Sequence, residues 1–398
     1  AIGLRTGGEI LFKIAPYTSL SCMISVCAAG WLAYRGMEKF ADSEKKVFDE
    51  EHHRFIAGID SQSYAPYIRC PVLLLSAVND KKHDYDRVYD TFRQLAPDIQ
   101  KAFLYSSHGN GLIGMHSLAD VDLFLDKFLK ERSVFISGPI GLNVEEDENG
   151  NLVARATFDQ AGELHECGIF YTERITGSHA RDWTRVLGNP AAVKEGVGTF
   201  PLELYEKSDR ALVYAFANYS NNFSVTSKIR EVVVKKPYKN TCVKSRIVYS
   251  SERDSLNGIS GFRRRARSVA DCFADGHGVD AKLLPGYGGI LGATAEAGIV
   301  SYRVNEPRYS APEGASLRLD AYCVQDALLK VTFYLDEDEE NGYSAEARVA
   351  GGGKWKSLLF DAADFKSATG AHLESFVDVL SLVFVGNGEV LVNNIVWI

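Results

Sequence analysis

Hydrophobic and polar positions follow two rhythms in this chain, one before Lys130 and another after it. Leu20 to Cys27 is an apolar run, and Val72-Leu73-Leu74-Leu75-Ser76 is a second. Unbroken runs of this kind suit strands covered on both faces of a parallel sheet, where neither face needs polar residues. Tyr85 to Leu95 and Leu118 to Leu129 read as helices. In the second, Leu118, Val121, Phe124, Leu125 and Phe128 recur at helical spacing. A further strand is predicted at Ala102 to Tyr105, ending at Ser106-Ser107-His108-Gly109. Strand, acidic loop, helix, strand, histidine loop and final helix predict the closing part of an α/β layer.

Past Lys130 the helical period vanishes, and short β-rich segments separated by Gly, Asn and Asp take over, which predicts a domain boundary near Ser133. Leu152 to Phe158 alternates, Gly168 to Thr172 is aromatic and β-branched, and Ala211 to Asn218 and Glu231 to Lys235 follow as strands. Asn149-Gly150 is a tight-turn signal. Strands at this density over roughly a hundred residues predict an immunoglobulin or fibronectin-III-like sandwich. From Tyr238 onward, strands are predicted at Tyr302-Arg303-Val304, Ser316 to Tyr322, Leu328 to Leu335 and Tyr343 to Val349. Lys354 to Phe360, Val379 to Val385 and Val390 to Ile398 complete a pattern that predicts a jelly roll. The expected fold class is thus multidomain: partial α/β over 1–132, an all-β sandwich over 133–237 and an all-β jelly roll over 238–398.

Composition narrows the partners. At 398 residues the chain is too long for one ordinary domain, and 46% hydrophobic with 24% charged residues is enough for packed cores. A net charge of -8 argues against nucleic acid, whose phosphates need a dense basic surface. No run approaches a membrane span, and no signal peptide is visible. Seven cysteines lack metal-ligand spacing; buried thiols are expected at Cys22, Cys27 and Cys70, and Cys242 and Cys272 are a pair that sequence cannot decide. Sequons stand at Asn218 and Asn222, and Arg263-Arg264-Arg265-Ala266-Arg267 is the one dense basic run, read as a solvated face, a processing site or an anion patch.

The chemistry-bearing feature is Gly3-Leu4-Arg5-Thr6-Gly7-Gly8. A nucleophile elbow reads G-x-S-x-G, small residues allowing a strained strand-to-helix turn that lifts one hydroxyl into a pocket. Here the central position is Arg5, which carries only donors and cannot attack a carbonyl. A guanidinium there can grip a carboxylate through two parallel hydrogen bonds, making Arg5 a candidate binding residue for an acidic sugar; pairing with Asp80 or Glu9 is the alternative.

The stretch from Ser63 to Phe92, with its Cys70-Pro71 lead-in and Asn79-Asp80 loop, resembles the dienelactone-hydrolase and acetyl-xylan-esterase-like branch of the α/β-hydrolases. That branch includes prolyl-oligopeptidase-like esterases, and the resemblance covers about residues 1–132. It implies Asp80 as the acid and His108, in its His-Gly pair, as the base. Other relatives place the base three residues on, at Gly111 here, and His116 is a further candidate. The structural alternatives are a helix cap for Asp80 and a backbone-bonded loop residue for His108. With Arg5 at the elbow, the resemblance implies a silent triad. It also implies strands ahead of the elbow; none precede Ala1, so a missing N-terminal segment or another subunit, a second copy included, is expected to cover the sheet edge.

Arg181-Asp182-Trp183 and Tyr214 to Asn218 resemble the β domain that follows the hydrolase in many of those esterases, with Trp183 read as a core or inter-domain anchor. Gly314 to Asp320, Gly352 to Leu358, Asp364-Phe365-Lys366 and Asn393 to Trp397 resemble jelly-roll carbohydrate-binding modules. This implies sugar rings stacked on aromatic side chains, with Trp355, Tyr302, Tyr309 and Tyr343 as candidates, and an inward, core-packed Trp355 as the alternative. It also implies a structural calcium, with Asp320, Asp336, Asp361 and Asn394 as candidate ligands. Asp336 to Glu340 is otherwise a solvated acidic hairpin. The expected function is a catalytically inactive hydrolase-like protein of the cell surface, periplasm or extracellular space, acting in assembly or in binding polysaccharide. The alternative is a carboxylic-ester hydrolase acting on acetylated polysaccharide.

Overall fold

A computed structural model describes residues 1–34, 37–41, 48–80, 83–106, 115–262, 281–295, 297–336 and 341–398. Most regular structure is β, and the chain divides into two compact units. Unit 1 comprises Ala1–Tyr171, Arg185–Leu204 and Asp209–Asn240; unit 2 comprises Thr172–Thr184, Tyr205–Ser208 and Thr241–Ile398.

Unit 1 opens with strand β1 (Ile2–Leu4), helix α1 (Thr6–Ile14) and strand β2 (Met23–Val26). Helices α2 (Glu50–Gly58) and α3 (Ser61–Tyr64) precede β3 (Val72–Ala77), α4 (Tyr85–Gln94), β4 (Lys101–Ser106) and α5 (Met115–Phe128). The four strands pair in parallel in the order β1-β2-β3-β4. Every residue of β2 and β3 is buried, which is why those segments read as unbroken apolar runs. Helices α2 and α3 escaped the periodicity reading. Helix α2 buries no residue and is started by Asp49, whose side chain accepts from the His52 amide at 2.9 Å.

The rest of unit 1 is antiparallel. Strands β5 (Gly141–Glu146), β6 (Leu152–Thr157), β7 (Leu164–Thr172), β8 (Thr184–Leu187), β9 (Val197–Pro201), β10 (Arg210–Tyr219), β11 (Ser224–Thr226) and β12 (Arg230–Val233) follow. They form a three-stranded sheet β5-β6-β9 and a five-stranded sheet β11-β10-β7-β8 with β12 also on β10. Asn149-Gly150 makes the predicted turn: Gly150 has φ 83°, and the Asp147 carboxylate accepts from the Asn149 and Asn151 amides. The β4 edge meets this layer, the Tyr105 amide donating to Thr226 Oγ1 at 2.9 Å. One contiguous core runs from Ile24, Leu73 and Phe124 to Ala154, Ile169 and Val213. Position 132–133 therefore falls inside one packed unit.

Unit 2 begins its main run with β13 (Ile247–Tyr249), helix α6 (Ser251–Asp254), β14 (Ser260–Gly261), β15 (Lys282–Pro285), β16 (Leu291–Thr294) and β17 (Ile299–Ser301). It continues with β18 (Leu317–Tyr322), β19 (Ala327–Tyr334), β20 (Gly342–Val349), β21 (Lys356–Phe360), β22 (Ser381–Gly386) and β23 (Leu391–Trp397). Two antiparallel sheets form, β15-β16-β23-β18-β21 with β13 on β23, and β14-β17-β22-β19-β20. Leu317, Leu319 and Ala321 from the first sheet and Leu329, Val331 and Phe333 from the second share one core with Trp397. The strand predicted at Tyr302-Arg303-Val304 is a correction: β17 stops at Ser301, and Arg303–Asn305 form a 3-10 turn.

Candidate functional site

The turn from β1 into α1 has the geometry of an elbow. Arg5 sits at φ 51°, ψ −120°, a conformation that non-glycine residues occupy only under constraint from their surroundings. Its amide donates to Val26 O at 2.8 Å and its carbonyl accepts from the Glu9 amide at 3.0 Å, so both neighbours hold it in place. A Cβ at Gly3 would collide with the Gly7 carbonyl, and one at Gly8 would lie 2.6 Å from Ala28 Cβ and Ser25 Oγ. The tight approach of helix to sheet thus requires Gly3 and Gly8, whereas a Cβ at Gly7 would meet nothing within 4 Å.

Asp80 lies on the loop after β3, 4% exposed, and accepts from the His83 amide at 3.3 Å. Its Oδ1 stands 3.9 Å from Arg5 Nη1. The acid candidate therefore faces a guanidinium at the elbow, the pairing weighed as the structural alternative. Sequence reading passed over His83, whose Nδ1 lies 3.5 Å from Glu9 Oε1. Burial raises the Glu9 carboxyl, Lys13 lowers it and Asp60 raises it again. Asp60 is also raised, chiefly by burial, although it accepts from the Leu32 and Ala33 amides at 2.8 and 3.3 Å and from Gln62. No short-range sequence signal links Glu9, Asp60 and His83, because three separate loops and helices bring them near one another. His108 and Gly111 lie outside the described residues, as does the side chain of His116. Chemically, the elbow offers donors where acyl transfer needs an electron pair.

The aromatic candidates in unit 2 separate. Tyr302 and Tyr309 are both 8% exposed, too buried for an open platform. Tyr302 joins a small cluster with Phe262, Val300 and Val383, while Tyr309 packs against Arg303, its ring 4.8 Å from the guanidinium carbon. Tyr343 is half-buried against the core. Trp355 is half-buried outside that core, its ring 5.4 Å from Tyr322. The inward packing considered for it belongs instead to Trp397, fully buried and donating from Nε1 to Tyr309 O at 2.8 Å.

Of the four calcium candidates, Asp320 and Asn394 meet, while Asp336 and Asp361 each bond to other neighbours. Asp320 accepts from Asn394 Nδ2 at 2.9 Å and Ser357 Oγ at 2.5 Å. Asp361 accepts from Ser316 Oγ and forms a capping box with Asp364, and Asp336 holds the Asn341 amide at 3.1 Å. Each carboxylate serves a local hydrogen bond, and among the described residues no group of three His, Cys, Asp or Glu side chains could hold a metal ion. Glu337 to Glu340, the Arg263 to Arg267 run and Cys272 lie outside the described residues. Among the described residues no helix is long and apolar enough to cross a membrane.

No family model matches the chain, and no curated protein matches it. Among solved structures it is similar to a family 11 carbohydrate-binding module of the cellulosomal cellulase Lic26A-Cel5E of Clostridium thermocellum. Identity is 14%, covering 30% of this chain and 80% of that one, with a TM-score of 0.21. It is also similar to a glycoside hydrolase family 43 arabinoxylan arabinofuranohydrolase from Bacillus subtilis in complex with cellotetraose. There the identity is 9%, covering 67% of this chain and 54% of that one, with a TM-score of 0.23.

Proposed function

We propose that this chain is a non-catalytic, hydrolase-like protein that works by binding, with a glycan as the ligand of its jelly-roll part. The observation that carries the first half is Arg5 at the strained elbow, 3.9 Å from the buried Asp80 carboxylate. Covalent acyl transfer begins with an electron pair on an activated oxygen or sulfur at that bend. Arg5 has none to give, and its charge engages the carboxylate that would orient an imidazole. In this reading the chain has three parts, an α/β part over 1–132, a sandwich over 133–237 and a jelly roll over 238–398, the first two packed on one core.

Support for a glycan comes from chemistry. The sandwich and jelly-roll layers offer broad β surfaces, and a net charge of -8 disfavours nucleic acid. Action outside the cytoplasm, where polysaccharides are met, follows from this reading. Hydrolysis of a chromogenic acetyl ester tests it. Rates are expected to equal those of buffer alone, and Asp80→Ala is expected to change nothing. Turnover well above background that Asp80→Ala abolishes would establish the ester hydrolase instead.

A further inference from the structure

We infer that the outward face of the β18–β21–β23 sheet is a binding site for a neutral polysaccharide whose pyranose rings carry equatorial hydroxyls. This rests on the glycan-binding reading above and names its place. Strand β18 alternates strictly: Leu317, Leu319 and Ala321 enter the core, and Arg318, Asp320 and Tyr322 point the other way. Ser357 stands opposite Asp320 in the antiparallel register. A register shift beside Asp320 and a positive φ of 47° at Asn394 turn that amide toward the same carboxylate.

The result is a fixed polar row. Asp320 accepts from Ser357 Oγ at 2.5 Å and Asn394 Nδ2 at 2.9 Å, with Arg318 Nη2 at 3.7 Å from its Oδ1 and 3.4 Å from Ser357 Oγ. These side chains stand on the far side of the sheet from the unit's core.

One end of the row is aromatic. The Trp355 indole lies across positions where a Cβ at Gly286 or Gly292 would come within 2.8 and 2.7 Å of it, so two glycines make room for the ring. It rests against Tyr322, with the planes tilted by 44°. Among the described residues, the buried Trp355 Nε1 has no hydrogen-bond partner, a cost that a core tryptophan normally avoids.

An apolar wall beside a short row of acceptor and donors matches a pyranose, which has C–H faces for an aromatic ring and hydroxyls around its rim. A carboxylate takes two neighbouring hydroxyls, while the guanidinium and amide donate to ring or hydroxyl oxygens. Charge selects the class. Arg318 is balanced by Asp320 and the chain carries -8 overall, so uronate polymers are disfavoured.

Affinity gel electrophoresis of the full chain in barley β-glucan, xylan or polygalacturonate tests the site, with tryptophan fluorescence as a second readout. At least one neutral polymer should retard the chain and polygalacturonate should not. Tyr322→Ala and Asp320→Ala should each weaken retardation about tenfold, the size of one lost stack or charged hydrogen bond. Trp355→Phe should remove the fluorescence change. Asp320→Asn and Tyr322→Leu, closer in size, serve if either alanine variant unfolds. Retardation that survives all of these with unchanged melting overturns the site and leaves the glycan reading standing. Retardation by polygalacturonate alone overturns the neutral class. No retardation by any polymer overturns both.

Discussion

The elbow in unit 1 and the outward sheet face in unit 2 both carry polar chemistry, yet they are built in opposite ways. The elbow comes from eight consecutive residues, and its character turns on one of them, Arg5, held in a conformation that its neighbours impose. The sheet face is gathered from residues 318–322, 355–357 and 394, distant in sequence and joined only by strand register. A local motif announces itself, and the residue that departs from it is equally visible. An assembled site shows in sequence only as alternating strands, which every sandwich has.

The comparison can be broken at its foundation first. Trp397→Ala should cost unit 2 about 3–5 kcal/mol, since it empties a fully buried position packed on Phe333 and Phe376. Differential scanning calorimetry should then show a transition that falls without loss of the elbow's glycine-packed turn. A single transition that does not move would mean the unit 2 core is not organised around this ring.

Next in size is a matched pair of buried acids. Burial pushes Asp120 in unit 1 up to about 8, against a 2.6 Å hydrogen bond from the Ser224 amide that lowers it. Burial pushes Glu306 in unit 2 to about 8 as well, helped by the neighbouring Asp182 carboxylate and opposed by Thr172 Oγ1 at 2.8 Å. Both folded values lie above the unfolded ones. The stability from each is full below the unfolded value near pH 4 and is lost as pH rises toward 8, by up to about 1.4 kcal/mol per pH unit for one proton. Asp120→Asn and Glu306→Gln should each flatten urea-melt stability between pH 5 and 8. A curve as steep as the parent's in both variants would place the titration elsewhere.

The smallest effect sharpens the contrast. Ser357→Ala removes a hydrogen bond from the outward face, away from the unit 2 core. Unfolding free energy should move by less than about 0.5 kcal/mol, as for an ordinary surface substitution, while polysaccharide retardation weakens. A large loss of stability with unchanged retardation would make the row structural.

Much of the fold was legible where burial is uniform or alternates cleanly. Val72 to Ser76 reads as a doubly covered strand and is one; Ser316 to Tyr322 alternates and does form β18. Helix α2 was missed because it buries no residue, so it leaves no apolar stripe. Tyr302 and Tyr309 look like surface aromatics in sequence, but Val300, Val383 and the buried Arg303 enclose them. His83 was overlooked because its partner Glu9 belongs to a different element.

By itself the sequence determined that the bend after β1 bears a guanidinium, that the apolar runs of the first third are buried strands and that the remainder is rich in short β segments. Each follows from short-range sterics or from the period of burial along one segment. Tertiary structure alone decided which tryptophan enters the core, that the three aspartates part company, and that Asp320 gathers Asn394 and Ser357 on one face. Those outcomes depend on strand register, and register is set by cooperative packing of whole sheets.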